Sequence, residues 1–157
     1  MTEKKRFTAY ILSLIILIGL FYPVQAGVEP SPFKNLNNKL NALVNRTGAI
    51  QHRLDDVQSK LIEGHYYHGM ENQLQSIASG LDNIFNKTNA LIIIIEDNNA
   101  SSDCASILEE MNNHAQGIFQ SAVSLFNLCL EIYPGMLPPL QSIQASSLSI
   151  SRITESL

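Results

Sequence analysis

The chain has 157 residues, of which 45% are hydrophobic and only 15% charged, well under the roughly 25% charge of an ordinary soluble domain; solubility must rest on neutral polar groups, and disorder driven by charge is excluded. Ten basic residues against 14 acidic ones, a formal net charge of −4, leave no global electrostatic footprint for nucleic acid. Eight Gly, six Pro and two Cys rule out a collagen-like chain and a disulfide-dense miniprotein.

Residues 1–26 read as a signal peptide. Lys4, Lys5 and Arg6 form a positive n-region, Ile11 to Phe21 an apolar h-region, and Val24-Gln25-Ala26 puts small residues at the −3 and −1 positions of a cleavage site. The mature chain is then expected to begin at Gly27, in a secreted or periplasmic setting. The competing reading is an uncleaved anchor, because Phe7 to Val24 is 18 residues long, at the short edge of spanning length. Residues 27–157 form one expected domain with 7 Lys+Arg against 13 Asp+Glu, a net charge of −6, and are enough to close a single core.

The strongest signal is periodic. Leu36, Leu40, Leu43, Thr47, Ile50, Leu54, Val57 and Leu61 alternate steps of four and three, the coiled-coil-like spacing that keeps one stripe of a helix facing its partners. Leu74, Ile77, Leu81, Ile84, Thr88, Leu91 and Ile95 repeat it, and so do Leu108, Met111, Ala115, Ile118, Ala122, Leu125, Cys129 and Ile132. Leu140, Ile143, Ser147 and Ile150 make a shorter fourth series.

The breaks carry helix-ending and helix-starting chemistry. Ser31-Pro32 offers a cap hydroxyl and a proline at the first helical position. The segment from Glu63 to Gly69 contains two glycines, Asp97 to Ser102 is a polar loop followed by Asp103, and Tyr133-Pro134-Gly135 stops the third series before Pro138-Pro139 restarts the chain. Three long helices and a shorter one, with short connections and no strand alternation, pack most simply as an all-α, up-down-up-down four-helix bundle. The aliphatic run Leu91 to Ile95 suits a strand by propensity, but the helical phase passes through it without a slip, so it reads as a helix end buried all round.

The two cysteines conflict with this reading. An exported chain ordinarily pairs its cysteines, yet on one straight helix Cys104 and Cys129 would stand about 37 Å apart, and a disulfide needs Cα atoms within about 7 Å. A fold-back near Gly117 would close a bridged hairpin. The unbroken phase from Met111 to Ile118 favours the straight helix, with thiols free, buried or paired between chains.

Motifs are sparse. Ser31-Pro32-Phe33-Lys34 has the S-x-x-K spacing of penicillin-binding enzymes but no companion motif, and reads as a cap. Asn45-Arg46-Thr47, Asn86-Lys87-Thr88 and Asn99-Ala100-Ser101 are formal glycosylation sequons. His65 and His68, flanked by Glu63 and Glu71, are the one metal-flavoured group, and Glu110 with His114 is an i,i+4 pair; a solvated turn whose tyrosines cap the bundle is the simpler reading of the first, and no metal or cofactor is expected. Folding the chain on paper puts Gly48, Gly80 and Gly117 at one height, either for close helix approach or around a pocket. Close approach is the preferred reading, and it makes Gly80→Leu strongly destabilising.

These features suit an exported, non-enzymatic bundle acting through protein–protein interaction, with an unidentified protein partner or as a homo-oligomer. The segment Met111 to Ser151, in which Glu131 is the only charged side chain, motivates this, since interface cores are depleted in charge. The alternative is a carrier of a small apolar ligand or a bundle that meets a membrane surface. Membrane contact is disfavoured because no Lys or Arg lies between Lys87 and Arg152.

Overall fold

The computed structural model describes residues 32–157, so the signal-peptide reading and the Ser31 cap lie outside the described residues. Four helices follow in order: α1 Pro32–Ile62, α2 Met70–Asp97, α3 Ser101–Cys129 and α4 Leu137–Glu155, the last entered through a single 3-10 turn, Pro134–Met136. No strand occurs among the described residues. Every position of the four apolar series is buried except Ile132, which is 65% exposed. That residue lies beyond the end of α3: Pro134 has no N–H to continue the helix, Tyr133 before it takes an extended φ of −131°, and the Cys129 carbonyl collects both the Ile132 and Tyr133 N–H groups.

Two helix ends are closed by the same device. Gly64 takes φ +80° after α1 and Asn99 takes φ +50° after α2, the left-handed conformation that glycine and asparagine tolerate best. The next N–H in each case reaches back five residues, His65 to the Lys60 carbonyl at 2.8 Å and Ala100 to the Ile95 carbonyl at 2.9 Å. Ala100 is itself buried, which anchors the three-residue α2–α3 connection.

Buried hydroxyls on the apolar stripes do not break the core, because their own helices satisfy them. Thr47 donates to the Leu43 carbonyl at 2.8 Å, Ser147 to Ile143 at 2.7 Å and Thr154 to Ile150 at 2.9 Å. Thr88 instead points across the core to the Met111 sulfur at 3.4 Å.

Cross-helix contacts fix the lateral order. α1 and α3 run parallel side by side, through Asn37 with Cys104, Gln51 with His114 and Asp55 with Ser121. α2 and α4 do the same, through Asp82 with Ser146, and Glu71 lies against Gly135 in the turn that enters α4. α4 also packs antiparallel on α3, where Ser151 donates to Asn112 at 2.6 Å, whereas α2 and α3 touch little. Directions alternate along the chain, but around the bundle the order is α1, α2, α4, α3.

The α2–α4 pairing coincides with a repeated sequence. Tyr67-His68-Gly69-Met70 matches Tyr133-Pro134-Gly135-Met136, Leu74-Gln75-Ser76-Ile77 matches Leu140-Gln141-Ser142-Ile143, and Ile84, Thr88 and Leu91 match Ile150, Thr154 and Leu157, all at one spacing. Parallel neighbours in near register meet the same core layers, so the same side chains serve both.

The run Leu91 to Ile95 is helical but is not buried all round. Leu91, Ile92 and Ile95 face the core, while Ile93 and Ile94 are 51% and 45% exposed. Five consecutive helical residues sweep more than a full turn, and the bundle covers only one side of it.

Candidate functional site

The reactive side chains come first, because their surroundings decide whether chemistry is available to them. α3 is continuous from Ser101 to Cys129, which removes the bridged-hairpin reading and leaves both thiols free and buried. Cys104 faces the Asn37 side-chain oxygen at 3.5 Å and Cys129 the Met136 sulfur at 3.9 Å. Burial pushes both thiol pKa values up, the opposite of what a nucleophilic cysteine needs.

The histidine-rich turn does not gather into a metal set. His65 Nδ1 lies 3.4 Å from Glu63, while Glu71 accepts a hydrogen bond from the Tyr66 hydroxyl at 3.4 Å. Among the described residues no three His, Cys, Asp or Glu side chains converge. The tyrosines close the bundle end instead. Tyr66 stacks on Tyr133 with centroids 4.5 Å apart and planes 11° from parallel, and Tyr67 donates to Gln73 beneath the Lys60 ammonium, 5.7 Å from the ring centre.

The three glycines do share a level, but they differ in what they face. Gly48 on α1 receives the His114 imidazole, and Gly117 on α3 receives the Gln51 amide, so each helix offers a glycine niche to the other's long polar side chain. His114 and Gln51 then meet at 2.8 Å, and Glu110 stays 4.0 Å from the other imidazole nitrogen. A Cβ on Gly80 would meet only the terminal methyl of Ile50, at 3.2 Å, and Gly80 sits half-buried beside a surface groove. Its neighbour there is the end of a flexible side chain, and its other side borders the groove.

That groove was not picked out by motif. It runs between α1 and α2 in two stretches that share Arg46. The first, about 420 Å³, has Leu43 and Leu91 as its floor, Ala42 and Ala90 as its walls and Ile94 at one end, and Lys39, Arg46 and Lys87 on its rim. The second passes Ala49, Ile50, Gly80 and Ile84 and carries Arg53. Lys39, Arg46, Arg53 and Lys60 follow one another at intervals of seven on α1, so they form a single edge of the helix. Lys60 is paired with Asp56 at 2.6 Å. Among the described residues no salt bridge engages Lys39, Arg46, Arg53 or Lys87, although acidic side chains outnumber basic ones. Four of the seven basic residues beyond residue 26 thus line one apolar groove.

The charge-poor segment has a different surface from the one its composition suggested. Part of its outer face is tied by a polar network that converges on the carboxylate of Glu155, just beyond the segment: Gln116 and Ser151 reach Glu155, and Ser151 also donates to Asn112. Of its exposed apolar side chains, Leu128, Leu130 and Ile132 collect at the end of α3, while Leu148 stands apart on α4. Comparison of the chain with protein-family models, curated proteins and solved structures finds no significant match.

Proposed function

We propose that this protein is an exported, non-enzymatic helical bundle that works by binding another protein through the α1–α2 face. The observation that carries the reading is the groove itself, an apolar floor rimmed by cations that have no carboxylate among the described residues. Exposed charges beside a contact patch steer encounter and suppress wrong partners, and a concave apolar strip supplies the buried centre that such contacts need. The export half of the proposal rests on Lys4 to Arg6, the apolar stretch and Val24-Gln25-Ala26.

A second reading, a carrier of a small apolar ligand, draws on the volume and apolar lining of the same groove. Its openness along both helices disfavours it, since ligand sites enclose most of their ligand. Native mass spectrometry of the protein isolated from its own host separates the two. A mature mass beginning at Gly27 together with a bound protein is the expected result. A small apolar adduct in place of a protein would favour the carrier, and a bare species retaining Met1 would contradict both cleavage after Ala26 and binding.

A further inference from the structure

The groove constrains the kind of partner, an inference that rests on the interaction reading above. We infer that it seats one amphipathic α-helix with acidic flanks, contributed by a different protein. Three observations converge. The walls are small residues, Ala42, Ala49, Gly80 and Ala90, so a third backbone can come close to α1 and α2. The cations on α1 recur every seven residues, about 10.5 Å apart along the axis, which is the spacing at which carboxylates repeat along one edge of a heptad-built helix. Lys87 stands on the opposite wall, so both flanks of an inserted helix would meet positive charge, with its apolar ridge over Leu43 and Leu91.

Other occupants fit less well. A bilayer surface is flat and would touch the rim without reaching the floor. A second copy of this chain presents Asp103 and Glu110 one heptad apart on α3, but Ser106 and Asn113 continue that edge and give no apolar ridge to fill the groove.

The test is fluorescence anisotropy with a labelled synthetic helix of about three heptads, Leu on the seam and Glu on both flanks, added to the full chain. Binding in the micromolar range is expected, weakened roughly tenfold or more by Arg46→Glu with Lys87→Glu. Arg152→Glu, a single charge reversal on α4, should leave it intact, and a peptide with Lys in place of Glu should not bind. Both groove substitutions are at exposed positions, and matching circular dichroism melts establish that the variant is folded. No binding of the Glu peptide, or equal binding by the double variant, overturns the inference. So does capture by phosphatidylglycerol vesicles in place of the peptide, which would make the occupant a membrane surface, or a wild-type dimer that the double variant dissolves, which would make it a second copy. A protein still bound in native mass spectra after such a failure leaves the interaction reading standing; its absence removes both.

Discussion

At the scale of single residues, the polar groups between α1 and α3 set the local cost of change. Adding a methyl at Gly48 puts it 3.2 Å from two atoms of the His114 ring, and the ring cannot tilt without leaving Gln51. The helix-propensity gain of about 1 kcal/mol is then offset by a lost hydrogen bond of about 1 kcal/mol and by crowding. At Gly80 the same methyl meets only a side-chain end that can rotate. Gly80→Ala is therefore expected to be more stable than Gly48→Ala by about 1–2 kcal/mol, as read from urea melts of the two variants. The buried thiols give a pH dependence of definite sign. Desolvation raises both pKa values, so the folded state favours the neutral thiol. The stability this contributes is complete below the unfolded thiol pKa of about 8.5 and is lost as pH rises through the higher folded values. Between pH 7 and pH 10 the wild type should lose more stability than a Cys104→Ala, Cys129→Ala variant. The variant also corrects for Tyr66, whose hydroxyl pKa is raised by desolvation first and by Glu71 after it.

At the scale of elements, the two inter-helix turns at one end are tied together by Tyr66 on Tyr133. Stacked aromatic pairs contribute about 0.5–1.5 kcal/mol beyond their area, so a Tyr66→Ala, Tyr133→Ala double-mutant cycle should return a coupling of roughly 0.5–1 kcal/mol; additive singles would mean that the stack carries no energy. Helix positions were legible in the sequence because the four-three apolar spacing, the glycine at residue 64 and the prolines at 134, 138 and 139 all act locally. Ile132 was misplaced because periodicity alone does not register the proline two residues later. The lateral order was not legible, since amphipathic stripes specify which face is buried and leave open which neighbour buries it. The repeat linking Tyr67–Leu91 to Tyr133–Leu157 is visible in the letters, and only the parallel packing of α2 on α4 gives it a physical reason. Of the site, the cation ladder is present in the sequence at 39, 46, 53 and 60. Its meaning depends on Lys87 and Ala90 arriving opposite it from another helix.

At the scale of the whole molecule, charge is segregated in a way that composition conceals. An excess of acid overall coexists with a basic rim on α1 and α2, while α3 exposes Asp103, Glu109 and Glu110 and shares with α4 a polar network centred on Glu155. No described helix is long and apolar enough to cross a membrane, and part of the face that sequence composition nominated for binding, Met111 to Ser151, is engaged in hydrogen bonds around Asn112 and Glu155. The proposed binding face, α1–α2, lies on the opposite side of the bundle from the charge-poor segment. Site-specific photo-cross-linking in the cell of origin tests this most directly, with the reactive group placed at Ala90 in the groove or at Gln120 on α3. The account predicts a protein adduct from position 90, abolished by Arg46→Glu with Lys87→Glu, and none from position 120. An adduct from position 120 with position 90 silent would contradict it.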